Sequence, residues 1–146
     1  MAVEVTYIGI DPGKNGAIAW LTNREVNVVP FSEETCQVIL RGIENGIACV
    51  EKVGAMPGQG VTSMFHFGEN FGYIRGALEA NKIAYQLIPP KTWKKEFGLN
   101  SDKESSIAVC KRLFPEVSLK RTERCKKDHD GMAEALLMAE YARRKL

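Results

Sequence analysis

The run Ile47-Ala48-Cys49-Val50 constrains the fold most, because four consecutive apolar residues leave a strand no face to turn toward water. A strand exposed on one face alternates apolar and polar residues. This one does not, and so it belongs inside a sheet covered on both sides. It delivers Glu51 at its C-terminal end. A loop rich in glycine (Gly54, Gly58, Gly60, with Pro57) follows, then a helical pattern over residues 62–81 and a strand pattern over 83–88 that Pro89-Pro90 closes. Strand, helix and strand in that order imply a parallel crossover.

The first part of the chain reads differently. Residues 3–10 alternate and are β-branched, giving a strand that ends at Asp11. Pro12-Gly13-Lys14-Asn15-Gly16 is a tight turn, and strands over 17–21 and 25–30 continue it as an antiparallel meander. Ser32 is placed to cap a helix running to residue 45, with Glu33 and Glu34 in its first turn and Gly46 ending it. Beyond the last strand, Ser101-Asp102-Lys103-Glu104 forms a capping box before a helix over 105–113 that Pro115 stops. A polar, basic stretch over 118–127 leads to a final helix over 128–145, with Asp128 as its N-cap. The sum is an α/β fold: a mixed five-stranded sheet flanked by helices. With 146 residues, the whole chain 1–146 is expected to form one domain.

No apolar run approaches the ~20 residues that a membrane-spanning helix needs. Met1-Ala2-Val3-Glu4 does not open a signal peptide, so a cytoplasmic location is expected. Cys36, Cys49, Cys110 and Cys125 contain no Cys-x-x-Cys pair and read as reduced thiols filling space. The net charge of +2 hides an uneven distribution. Residues 1–90 carry six Lys/Arg against nine Asp/Glu, whereas residues 91–127 carry eleven against five. A basic block after an acidic half suggests that one region meets a polyanion while the other keeps carboxylates for another purpose.

Those carboxylates have a pattern. Asp11 and Glu51 each end a strand, and a sheet that sets the two strands side by side brings them together. In the last helix Asp130 and Glu134 are four apart and share one face, which Leu137 and Tyr141 continue. Like charges at that spacing repel, and acids on an apolar stripe are costly to bury without a cation. A bound divalent cation accounts for both costs. With only carboxylates in the set, Mg²⁺ or Mn²⁺ suits it better than zinc. Asp128 and His129 remain second choices as ligands. Two such ions ~4 Å apart can activate water and stabilise the leaving oxygen of a phosphodiester.

At this point the sequence resembles the RuvC family of Holliday junction resolvases, especially its short phage-type members. The resemblance rests on Ile8-Gly9-Ile10-Asp11-Pro12-Gly13, on Val50-Glu51-Lys52-Val53 and on Ala133-Glu134-Ala135-Leu136-Leu137-Met138-Ala139. The stretch 61–80, with Gly68, Gly72 and Gly76, resembles the family's glycine-punctuated central helix. The ordered set spans nearly the whole chain. It implies an RNase H-like fold in a Mg²⁺-dependent homodimer that cuts four-way DNA junctions, located in the host cytoplasm if phage-encoded.

Carried over residue by residue, the resemblance gives Asp11 two metals to bridge, Glu51 one to hold and Glu134 the other. The family's fourth ligand lies three residues before the last acid, where this chain has Gly131. Asp130 is therefore the expected substitute. Lys94 and Lys103 match the family's lysines near the scissile phosphate. Lys91, Lys95, Arg121, Arg124, Lys126 and Lys127 are expected as further phosphate contacts, which makes binding salt-dependent. The family's aromatic at the strand-exchange point has Gly54 in its place; Phe65 and Phe67 are substitutes, with core packing the expected role of each. The helix over 62–81 is the expected dimer surface, its glycines serving either that contact or intramolecular packing. Two further readings stay open: a nuclease of broader branched-DNA or fork specificity, and a structure-selective DNA-binding protein that cuts weakly.

Overall fold

Strand β1 (Thr6–Asp11) lies at the centre of the sheet, antiparallel to β2 (Ala17–Leu21) on one side and parallel to β4 (Gly46–Glu51) on the other. The outer strands are β3 (Val26–Pro30), antiparallel to β2, and β5 (Ala84–Ile88), parallel to β4, in the order β3-β2-β1-β4-β5. This computed structural model describes residues 4–52, 54 and 57–146. The expected mixed five-stranded sheet is present, and β2 has the predicted bounds. Residue 3, assigned to the first strand from sequence, lies outside the described residues, as does Val53 of the second motif.

Alternate residues of the central strands feed two cores. Ile8, Ile10, Ile18, Ala48 and Val50 point to one face, where Cys36 and Leu40 of α1 (Glu33–Arg41) and Ile74, Ala77 and Leu78 of α2 (Val61–Ala80) cover them. Ala17, Ala19, Leu21 and Cys49 point to the other, under α5 (Asp130–Lys145), with Trp93 of α3 (Pro90–Glu96) and Cys110 of α4 (Lys103–Leu113) beside them. Cys49 has no exposure and neither do its neighbours Ala48 and Val50, as the unbroken apolar run demands. All four cysteines are free thiols.

Gly9 sets the depth of the second layer. A Cβ there would overlap the backbone of α5 at Ala135 and Ala139, so β1 and α5 touch main chain to main chain. Because side chains alternate along β1, Asp11 projects toward the same face as Gly9. Glu134 precedes Ala135. This close approach therefore carries Glu134 to Asp11.

Several boundaries differ from expectation for identifiable reasons. Helix α1 ends at Arg41 with Gly42 as C-cap; Gly46 instead opens β4, opposite Thr6, where a Cβ would come within 2.8 Å of Ile43 Cγ2. Pro90, read as closing a strand, starts α3, an unforeseen helix with proline at its first position. The cap of α4 is Asp102, accepting from Glu104 N at 3.0 Å, one residue later than the capping box predicted. Helix α5 starts at Asp130. His129, not Asp128, is its cap, and His129 Nδ1 accepts from Gly131 N at 3.1 Å. Among the described residues, no helix is long and apolar enough to cross a membrane.

Candidate active site

The parallel register sets Ile10 opposite Val50, so Asp11 and Glu51 leave adjacent strand ends side by side. Above them opens a cavity of about 520 Å³. Asp11, Glu51, Asp130, Glu134, Lys94 and Lys103 all line it. The six side chains expected to carry chemistry thus come from β1, β4, α3, α4 and α5 to one place. The rest of the wall is the turn Pro12–Gly16, Phe67 of α2, Pro90 of α3, residues 99–102 and Ser105 and Ser106 of α4.

Four acids in partial burial cannot all keep their charge without help. Burial pushes Asp11 up to about 9, and the charges of Glu134, Glu51 and Asp130 add to the effect. A side-chain hydrogen bond to Glu134 works in the same direction on Asp11 and the opposite direction on Glu134. Glu134 is itself raised, first by burial, with Lys94 opposing. Glu51 is raised by burial as well, while Trp93 Nε1, donating to Glu51 Oε1 at 3.2 Å, and Lys94 pull it back. Trp93 is fully buried and fixes the orientation of Glu51. Its indole is a part of the site that periodicity alone did not mark.

The lysines answer the acids only loosely. Lys94 Nζ stands 3.7 Å from Glu134 Oε1, and Lys103 Nζ 3.8 Å from Asp130 Oδ2. Neither reaches hydrogen-bond distance. Asp128, by contrast, is closed off by a tight ion pair with Lys111. His129 is occupied by its cap and held by its own N–H to Leu119 O at 2.7 Å. Burial, then the charge of Arg121, lower its pKa. Neither Asp128 nor His129 lines the cavity, whereas Asp130 does.

Gly131 has a steric reason to be glycine. A Cβ there would overlap the carbonyl of Asn15, so the turn after Asp11 packs directly on the first turn of α5. Gly13 in that turn has φ +116°, a left-handed conformation that glycine adopts without strain. Gly16 adds a third restriction, because a Cβ would overlap the carbonyl of Asp11. Arg121 Nη1 donates to Gly16 O at 3.3 Å, holding the same turn from the loop before α5.

The donor set suits a hard divalent cation. The cavity acids Asp11, Glu51, Asp102, Asp130 and Glu134 outnumber its lysines Lys14, Lys94 and Lys103. Among the described residues, no cluster of three or more His, Cys, Asp or Glu side chains stands placed to hold a metal ion. Mg²⁺ does not need one, since it keeps several waters and takes one or two carboxylates. An alternative in which these acids are ordinary strand-end turn residues does not account for their convergence.

Lys91, Lys94 and Lys95 line a second groove of about 540 Å³ that shares Lys94, Leu99, Asn100 and Ser101 with the first cavity. Arg124, Lys126 and Lys127 are exposed in the loop before α5. Phe65 is 65% exposed and Phe67 lines the cavity, so neither has the core role expected of it. Gly68, Gly72 and Gly76 are exposed, and a Cβ on any of them meets nothing, which removes the intramolecular-packing reading.

Solved structures of similar fold are those of RuvC from Thermus thermophilus. The complex described as "T. thermophilus RuvC in complex with Holliday junction substrate" is 15% identical, with a TM-score of 0.64, covering 97% of this chain and 96% of that one. A second RuvC structure from Thermus thermophilus is 18% identical, with a TM-score of 0.56 and the same coverage. The sheet order and flanking helices are accordingly RNase H-like. No protein-family model matches the chain, and no curated protein matches its sequence.

Proposed function

We propose that this chain is a divalent-metal-dependent endonuclease, acting on branched DNA and above all on four-way junctions. The observation that carries the reading is the convergence of Asp11, Glu51, Asp130 and Glu134 with Lys94 and Lys103 on one cavity at the C-terminal edge of the sheet. The likeness in fold to a RuvC bound to a Holliday junction supports the substrate class. The whole chain serves as one nuclease domain, and it works as a homodimer because a four-way junction needs two symmetric cuts.

Asp11, between Glu51 and Glu134, would bridge two Mg²⁺ or Mn²⁺ ions, with Glu51 holding one and Asp130 and Glu134 the other. Bound there, the ions would supply an activated water and Lewis acidity at the phosphodiester. The protein's own groups do the rest. Trp93 keeps Glu51 turned into the cavity. Lys94 and Lys103 meet the charge of the scissile phosphate, and the glycine turn after Asp11 lets a backbone approach closely. Lys91 and Lys95 in the adjoining groove take the neighbouring phosphate, with Arg124, Lys126 and Lys127 as outer contacts.

A reading as a structure-selective binding protein that cuts weakly draws on one observation, the glycine at position 131, where the resemblance implies an acid or a histidine. Cleavage of a synthetic four-way junction and of a linear duplex, in Mg²⁺ and in Mn²⁺, separates the two. Junction cutting by the wild type, lost in Asp11→Asn and Glu51→Gln, is the expected result. Binding without cutting in either metal would favour the second reading, and equal cutting of the linear duplex would remove junction specificity.

A further inference from the structure

Three ion pairs reach the start of α5, and they are not alike. Lys111 closes on Asp128 at direct contact, outside the cavity. Lys94 and Lys103 approach Glu134 and Asp130 only to 3.7 and 3.8 Å, inside it. A lysine at that distance moderates a carboxylate's charge without satisfying its lone pairs. Lys94 also acts on Glu51, and so it serves two acids on different elements. Their side chains are 38% and 80% exposed, and Lys94 Nζ also lies 5.6 Å from the centre of the Trp93 ring.

We infer that Lys94 and Lys103 are exchangeable counter-ions, resting on the cavity acids when the protein is alone and transferring to DNA phosphate when divalent cations occupy those acids. The inference rests on the metal-site reading above and concerns how that site is loaded. The charges require an exchange of this kind. Five acids (Asp11, Glu51, Asp102, Asp130 and Glu134) against three lysines (Lys14, Lys94 and Lys103) leave the cavity negative, which repels a phosphodiester. Cations that neutralise the acids leave the lysines in excess, and the same surface then attracts one. Metal and DNA therefore promote each other's binding by the same factor, as linkage demands.

The consequence is contrary to the usual effect of removing a cavity residue. A lysine that competes with the metal weakens metal binding in the DNA-free protein, so its removal strengthens it. Calorimetric titration of Mn²⁺ into the DNA-free protein reads this without any cleavage. Lys94→Met is expected to bind Mn²⁺ about three- to tenfold more tightly than wild type. Lys103→Met, more exposed, is expected to gain roughly twofold. In Ca²⁺, the increase in junction affinity that the cation brings to the wild type shrinks in both variants.

Asp11→Asn serves as the reference, since it must lose cavity binding if the acids hold the metal at all. Unchanged or weaker Mn²⁺ binding in Lys94→Met and Lys103→Met, with Asp11-dependent binding intact in the wild type, overturns the exchange and leaves the metal site standing. Absence of Asp11-dependent binding in the wild type overturns both. Because Lys103 is exposed, its variant keeps the test valid if Lys94→Met folds poorly.

Discussion

The two ends of α5 handle buried acids in opposite ways. At its C-terminal end Glu140 is only 3% exposed, yet Arg143 and Arg144, three and four residues on, both hydrogen-bond it, and Arg144 continues to Glu96 while lying over Phe97. Those cations are planar, on the same helix and permanently in place. At its N-terminal end Asp130 and Glu134 face lysines borrowed from other helices at 3.7–3.8 Å, and Asp11 retains a proton up to about 9. One end is neutralised by the protein itself. The other is short of positive charge, and that shortage is what separates a site from a structural ion pair.

Breaking the contrast at the cavity end has the largest effect. Asp11→Asn is expected to lower junction cleavage by about a thousandfold or more, read as single-turnover rate in Mg²⁺. Glu134→Gln should behave similarly, and full activity in that variant would mean the last acid is misplaced. Gly131→Asp is expected to reduce activity rather than raise it, because its Cβ meets the carbonyl of Asn15 and displaces the turn beside Asp11. It should also cost ~1–3 kcal/mol in denaturant unfolding, as overpacking does.

At the opposite end the effect moves to stability alone. Glu140→Gln removes the charge that two arginines share, and since both are partly exposed the expected loss is about 1–2 kcal/mol, with Mn²⁺ binding unchanged. Loss of metal binding there would erase the contrast. The smallest effect is expected of Arg121→Ala. Its guanidinium keeps its charge while donating to Gly16 O, so the salt dependence of DNA binding should lose less than one in slope while activity falls modestly. Lys126→Ala, in comparison, should reduce that slope by about one.

Much of this was legible in the sequence because it depends on periodicity. The unbroken run at Ile47–Val50, the alternating strand before Asp11 and the four-residue spacing of Asp130 and Glu134 each follow from local geometry, and the structure brings their acids together as those patterns required. What escaped depends on contacts between distant segments. Nothing near Gly131 in sequence reveals that Asn15 presses on it, and nothing near Arg121 points to Gly16. Nothing in the sequence around Trp93 shows that its indole meets Glu51. The short helix α3 was hidden by a proline pair that signals a strand end and a helix start equally well, and the exposure of Phe65 contradicted the usual fate of a phenylalanine.

The central claim is that the cavity acids await positive charge, and thermal unfolding tests it most directly. Asp11 binds a proton more tightly folded than unfolded, so the metal-free protein carries that stability below about pH 4 and loses it as pH rises toward 9. Measured at pH 8 without divalent ions, Asp11→Asn should melt about 3–6 °C above wild type. Added Mn²⁺ should raise the wild type and leave the variant nearly unmoved, reversing their order. Two curves that stay parallel with and without Mn²⁺, with wild type the more stable throughout, would contradict the account.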